Sequence, residues 1–401
     1  MDHRIFSVFG LSFFLCHCSI AQPEKDPATS VEHVRATERL TPQNLPKFLE
    51  RVRVNYGLPA LGVAILNNDK VTVVTLGVRK EGDPTPVTNE DAWHIGSCTK
   101  AMTATLMAML VEDGKLSWES TLAEMLPDLA ETMLPVYRDV TLRQLLSHRA
   151  GFPTSTVPPG TTYADWDAKK ETLPEQRMAY AQGWLAVAPS YPPGSKMVYS
   201  NLGYVIAGAI AERISGESWE EQLKKRLFEP LGMKSVTYGT KSILPPVEPW
   251  PHFHFLKNGK AVAAVGAEIE IPLVLGPAGQ VRCSLSDWAK YADFYLKGLR
   301  GESDLLGEES FRVLTTPPDS NKASGTDQGD SHALGWNVAK RSWSRGPVFY
   351  HGGSNLKNYS FIWLAPKENF AIMITTNRGA TAAAMDDVSA ALVVELSRLN
   401  Q

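Results

Sequence analysis

The chain has 401 residues, 43% of them hydrophobic and 21% charged, with 40 Lys and Arg against 43 Asp and Glu for a formal net charge of −3. That length allows one large domain or two lobes, and the absence of a basic excess or basic run argues against a nucleic-acid or anionic-membrane partner. Four cysteines in a chain of this size make no disulfide framework.

Met1 to Arg4 carry one fixed positive charge, Ile5 to Cys16 are almost all apolar, and Ser19-Ile20-Ala21 is a small-x-small site before Gln22. This is the three-part layout of a secretory signal over residues 1–21. The apolar run is shorter than the ~20 residues a membrane-spanning helix needs, and Phe or His precedes Cys16 and Cys18 where lipoprotein processing wants small residues. A secreted or periplasmic protein with no stable membrane span is expected. Of the cysteines, Cys98 and Cys283 would remain, either as two buried thiols or as a disulfide that an oxidising compartment permits. Residues 22–41 are polar and aperiodic and read as a flexible leader.

Leu45, Phe48, Leu49, Val52 and Tyr56 recur at helical spacing, and Gly57 and Pro59 end that helix. Ala60 to Leu66 and Val71 to Leu76 are β-rich runs joined by Asn67-Asn68-Asp69-Lys70, a hairpin signal. A helix-dominated middle follows. Helices are expected over Thr99–Asp113, closed by Gly114, over Val140–Ser147, and over Pro174–Val187 with Pro in its first turn. Two more are expected over Ser200–Ile214, apolar nearly all round and so buried, and over Ser218–Phe228, opened by Ser218 and Glu221 as a capping box. Short strands return at Val348–Tyr350, Tyr359–Leu364 and Phe370–Thr375, and Ala382–Leu399 closes the chain as a helix. Pro317 to Gly329 reads as a polar surface loop. With β segments at both ends and helices between, the expected class is α+β: an antiparallel sheet flanked by helices, built from both chain ends, with an inserted all-helical lobe. The sheet lobe would take about 42–90 and 290–399, the helical lobe about 91–289.

Three segments carry chemistry. Ser97-Cys98-Thr99-Lys100 precedes a helix whose body has almost no polar face, so Ser97 is expected at the N-terminal end of a buried helix. Residues three apart share a helix face. The partial positive charge and free N–H groups of a helix start favour an alkoxide and disfavour a protonated amine, and a desolvated lysine can lose its proton near neutral pH and act as base for the serine. The plainer alternative, an N-cap serine beside a surface lysine, fits poorly with a cation opposing the helix dipole on a buried helix. Next, Tyr199-Ser200-Asn201 offers a phenol and a carboxamide at i and i+2, able to relay a proton to a leaving group and to donate to a substrate carbonyl or meet Lys100. By itself this is equally a capping turn with a packed tyrosine. Last, His351-Gly352-Gly353-Ser354 ends a strand. Two glycines let a substrate backbone approach a strand edge, and the Ser354 and Ser97 backbone N–H groups can form an oxyanion hole. By itself this is equally a glycine turn with a surface histidine.

S-x-x-K, then Y-x-N about 100 residues on, then a glycine-bearing triplet on a late strand, resembles the serine β-lactamase and penicillin-binding-protein family. The resemblance runs from about Pro42 to Leu399 and looks closest to the branch of class C β-lactamases, D-alanyl-D-alanine carboxypeptidases, D-amino-acid amidases and carboxylesterases of that fold. Leu145-Leu146-Ser147-His148 with Gly151 resembles a turn of that branch, and Pro277-Ala278-Gly279 with Ser284 and Asp287 resembles its segment before a lobe-closing helix. The resemblance implies that Ser97 is acylated, that Lys100 and Tyr199 shuttle its proton, and that Asn201 holds the substrate amide or Lys100. It implies further that Gly353 lines the groove and that Arg378 pairs with a substrate carboxylate. His351 stands where class C enzymes usually have lysine. A neutral histidine there holds a tyrosinate less well, which makes Lys100 the preferred base and favours peptidase, amidase or esterase chemistry at least as much as β-lactam hydrolysis.

His252 and His254 alternate as on one strand face, but no third ligand lies at suitable spacing, so no metal is expected. No G-x-S-x-G, P-loop or dinucleotide fingerprint occurs. The expectation is a serine hydrolase acting without cofactor on a small-molecule or peptide amide or ester. A non-turnover sensor of penicillin or peptidoglycan is the alternative.

Overall fold

The computed structural model describes residues 33–36, 39–239, 250–264, 271–318 and 330–400. The signal-like segment 1–21 and most of the polar stretch 317–329 lie outside the described residues.

The opening hairpin follows directly from its sequence. Strand β1 (Ala60–Asn67) pairs with β2 (Lys70–Gly77) in a register that sets Asn67 against Lys70. The two turn residues, Asn68 and Asp69, take φ of 47° and 65°. Asn and Asp accept this left-handed pair at low cost, and the turn it makes matches the twist of the flanking strands.

Ten further strands follow: β3 (Trp93–His94), β4 (Thr237–Tyr238), β5 (His254–Lys257), β6 (Lys260–Ala263), β7 (Val281–Cys283), β8 (Ser331–His332), β9 (Asn337–Ala339), β10 (Val348–Gly353), β11 (Tyr359–Ala365) and β12 (Phe370–Thr376). Seven form one antiparallel sheet in the order β2-β1-β12-β11-β10-β9-β8. The first strand therefore lies beside the last, from Leu61 opposite Thr376 to Asn67 opposite Phe370. This is the α+β architecture expected, a sheet assembled from both chain ends.

Alternation along β1 divides two cores. Leu61, Val63 and Ile65 face one way, into Phe48, Leu49 and Val52 of the Leu45–Asn55 helix and Val388, Leu392 and Leu396 of the Ala382–Leu399 helix. Ala64 and Leu66 face the other way, into the cluster built around the Thr99–Glu112 and Leu285–Gly298 helices. Deep truncation in either cluster, Leu49→Ala for example, is expected to cost ~2–5 kcal/mol of stability.

Between β2 and β8 the chain is mainly helical, with two small β elements: a sheet in the order β3-β7-β4 and the β5-β6 hairpin. Strands of two to four residues are too short to show sustained period-2 alternation, which is why the sequence reads this region as mainly helical, with His252 and His254 its one strand-like signal. The expected helix over 218–228 is α-helical from Trp219 to Leu223 and then widens into a π turn over Lys224–Phe228. Residues 33–36 and 39–41, read as part of the leader, touch the last helix. His33 Nδ1 lies 2.7 Å from Asp387, Val34 N–H donates to the same carboxylate at 2.7 Å, Arg39 Nε donates to Glu395 at 2.7 Å, and Leu40 is buried.

Candidate active site

Ser97 lies in a 3-10 turn, Gly96–Cys98, that runs straight into the Thr99–Glu112 helix. Every residue of that helix from Thr99 to Leu110 is buried, so the turn is mounted on a rigid base. Ser97 itself is half-buried, whereas Lys100 is 0% exposed. Lys100 Nζ lies 3.1 Å from Ser97 Oγ, 2.7 Å from Asn201 Oδ1 and 2.6 Å from the Ala278 carbonyl oxygen. Three oxygens satisfy the three N–H groups of an ammonium. A neutral amine in the same place donates to Asn201 and Ala278 and turns its lone pair to the Ser97 hydroxyl, the arrangement a general base requires.

Asn201 is the N-cap of the Leu202–Ser215 helix, yet its side chain makes no capping bond and serves Lys100 instead. Tyr199 sits two residues earlier, outside any helix or strand, its ring centroid 4.9 Å from Lys100 Nζ. The structure thus brings Ser97, Lys100, Tyr199 and Asn201 together from segments about one hundred residues apart.

β10 ends against the Gly96–Cys98 turn. A Cβ on Gly353 would lie 2.0 Å from Ile95 O and 2.8 Å from Ser97 N, and a Cβ on Gly96, whose φ is +53°, would lie 2.5 Å from Ser354 N. Only glycines permit this approach, which sets the Ser97 and Ser354 amides side by side. The Ser354 hydroxyl is occupied: it donates to Asn358 O at 2.6 Å and accepts from Leu356 N–H at 2.9 Å. Its backbone N–H is the part available to an oxyanion. Gly353→Ala is expected to force the two segments apart and slow covalent labelling of Ser97 about 100-fold or more, the loss typical of one oxyanion donor. The labelling rate of the folded variant checks this.

His351 is buried, and its Nδ1–H donates to the Gly352 carbonyl at 2.6 Å. Burial first, then the nearby Lys100 and His332, push it down to about 3. Two residues that sequence reasoning did not place in the site surround it. His332 donates from Nδ1 to Asn337 Oδ1 at 3.0 Å, and burial pushes it down to about 4. His148, at φ 58°, accepts the Ser200 N–H on Nδ1 at 3.2 Å, and burial together with His332 and Lys100 pushes it well below the usual range. Ring centroids lie 4.5 Å apart for His148 and Tyr199, 4.7 Å for His148 and His332, and 6.3 Å for His351 with either Tyr199 or His332. Tyr199 therefore has imidazoles beside it that burial holds toward the neutral form, and the Lys100 amino group lies over its ring face.

Arg378 does not fit the role of a loop cation waiting for a substrate carboxylate. It is buried, Nη2 donates to Ala380 O at 3.4 Å, and Nη1 is the atom a Cβ on Gly57 would meet at 4.0 Å, just past the first helix. Its backbone bridges to that of His254. His254 is also structural, accepting the Glu81 N–H on Nε2 and contacting Asn377 O through Nδ1, both at 2.9 Å. Cys98 and Cys283 are both buried free thiols. Among the described residues no group of three or more His, Cys, Asp or Glu side chains is placed to hold a metal, and no helix is long and apolar enough to cross a membrane.

A serine in the turn that opens a buried helix, a lysine three residues on in its first turn, a Tyr-x-Asn segment and a glycine strand end form a constellation that fits a serine hydrolase. The chain belongs to the Beta-lactamase family, whose model matches residues 39–395. It is similar to Penicillin-binding protein 4 of Amycolatopsis lactamdurans, 26% identical over 355 residues covering 87% of this chain and 88% of that one. It is also similar to Unguisins hydrolase ungD' of Aspergillus campestris, 24% identical with 84% of this chain and 61% of the relative covered. Among solved structures, D-amino acid amidase from Ochrobactrum anthropi SV3 superposes with a TM-score of 0.70 at 21% identity, over 89% of this chain and 99% of that one. The octameric penicillin-binding protein homologue from Pyrococcus abyssi superposes at 0.68 with 24% identity, over 88% of this chain and 78% of that one. At these identities the structural matches speak for the fold.

Proposed function

We propose that the protein hydrolyses an amide or ester bond of a small molecule or peptide through an acyl-enzyme on Ser97. Lys100 takes the Ser97 proton, Tyr199 passes a proton to the leaving group, and the Ser97 and Ser354 amides receive the oxyanion. The observation that carries this reading is the placement of Lys100 Nζ, buried and within 3.1 Å of Ser97 Oγ while two fixed acceptors occupy its other hydrogen-bonding directions. A neutral His351 and an Arg378 folded into the protein offer no cation to a carboxylate on the substrate. An amide, peptide or ester of a D-amino-acid or other small acyl group falls within this class, as does a β-lactam. One relative, Unguisins hydrolase ungD', is named as a hydrolase, which is compatible with this class.

Intact-mass analysis after a fluorophosphonate probe tests the nucleophile. One adduct is expected, on Ser97, absent in Ser97→Ala, and no adduct at all refutes the reading. The same measurement with a penicillin separates turnover from a sensor, because a sensor stays acylated for hours. The signal-like segment supports work outside the cytoplasm, and a mature chain starting at Gln22 is the expected product of processing.

A further inference from the structure

The Ala278 carbonyl is held from behind by a buried ion network that the mechanism above does not use. Arg177, on the Leu173–Leu185 helix, is 0% exposed and pairs with two carboxylates, Glu212 and Glu220. Its remaining hydrogen bonds run forward: Nε donates to Val274 O and Nη2 to Leu273 O, both at 3.2 Å. These carbonyls belong to the 3-10 turn Leu273–Leu275, which continues directly into the single-turn helix Gly276–Gly279 that carries Ala278. A Cβ on Gly276 would stand 2.8 Å from Arg177 Nη2, so guanidinium and backbone are in close contact. A second tie crosses from the same network. Glu212 accepts the Trp219 N–H at 3.0 Å, the Trp219 indole donates to Thr103 Oγ1 at 3.1 Å, and Thr103 donates to Pro277 O at 2.7 Å. Arg177 and Thr103 thus grip the segment at Leu273, Val274 and Pro277, the stretch leading into the peptide whose oxygen accepts from Lys100.

We infer that Arg177 is a positioning residue for Lys100, acting through the 273–279 segment, an inference that rests on the acyl-enzyme reading. A guanidinium suits the task because its planar fork reaches two carboxylates and two carbonyls at once. Buried charge of this kind contributes little net stability and holds groups in one arrangement. A shift of about 1 Å in the Ala278 oxygen would release Lys100 from its station beside Ser97, and misplacement of that size costs on the order of 100-fold in rate.

The experiment follows fluorophosphonate labelling of Ser97 against pH in wild type, Arg177→Met, Arg177→Lys and Thr103→Val, with far-ultraviolet dichroism and urea unfolding as fold controls. Arg177→Met is expected to slow labelling about 10–100-fold and to move the acid limb of the profile, with partial recovery in Arg177→Lys. Thr103→Val, close in shape, is expected to slow labelling about threefold to tenfold and to move the same limb. A folded Arg177→Met with wild-type rate and limb overturns the inference. So does a less stable variant whose pH profile is unchanged, which marks a structural role. If Arg177→Met does not fold, Thr103→Val decides by the same criterion. Absence of labelling in the wild-type chain overturns the hydrolase reading instead, so the two failures are distinguishable.

Discussion

Lys100→Ala lowers the rate of Ser97 acylation by about 10³–10⁴-fold or more, while His351→Ala lowers it by no more than about tenfold. The lysine amine has a hydrogen-bonding direction on Ser97 Oγ at 3.1 Å, and Asn201 and Ala278 occupy the others. The imidazole spends its Nδ1–H on Gly352 O and sits at about 3, a weak base at neutral pH. Lys100→Arg separates base from charge. Arginine keeps the cation and cannot give up its proton, so it is expected to be as slow as alanine. Near-wild-type labelling in Lys100→Arg would show that the charge alone matters, and equal losses in Lys100→Ala and His351→Ala would show base duty shared between the two.

Acid destabilises the fold steeply between about pH 6.5 and pH 4, through the three histidines around Tyr199. His148, His332 and His351 all have folded-state values depressed below the ordinary value of about 6.5. Above about 6.5 the imidazoles are neutral in both states and their contribution is fully present. As pH falls, the unfolded chain takes up protons that the folded chain refuses, so stability falls until the folded values are reached. At pH 5 His332 and His351 each cost about 2 kcal/mol, about 4 kcal/mol together and a large share of the stability of many proteins, and His148 adds to the loss in the same direction. The urea midpoint at pH 7.5 and pH 5.0 measures this. The double variant His332→Gln, His351→Gln is expected to lose about 4 kcal/mol less over the same interval. An identical loss in variant and wild type would show that these side chains are not held neutral.

Much of the frame was legible because it depends on local chemistry. Asn68-Asp69 dictates the hairpin turn, the apolar positions of Thr99–Glu112 dictate a buried helix, and Ser97 and Lys100 share a face whatever packs around them. Ser218 caps its helix by accepting the Glu221 N–H at 3.2 Å, which is one half of the expected capping box; the reciprocal bond from the Ser218 N–H to the Glu221 side chain is not made. Elsewhere the signal was too short or absent. The strands at 93–94, 237–238 and 281–283 carry two or three residues each. Ala278 contributes a backbone oxygen, which no residue type announces. His148 stood within a motif noted for its resemblance, but nothing local said that its ring would face Tyr199.

By itself, then, the sequence determined which residues share a helix face or a strand face and which turns close, since these follow from residue spacing and backbone preference. It also determined the order of the Ser97, Tyr199 and His351 segments along the chain. Only the tertiary structure decided that Lys100 would lose all contact with water and meet acceptors 101 and 178 residues away. It alone decided that burial would push three histidines below their ordinary value and that Arg378 would turn inward rather than serve the cleft. Charge state and hydrogen-bond partner depend on desolvation, and desolvation is set by what packs against a side chain from distant parts of the chain.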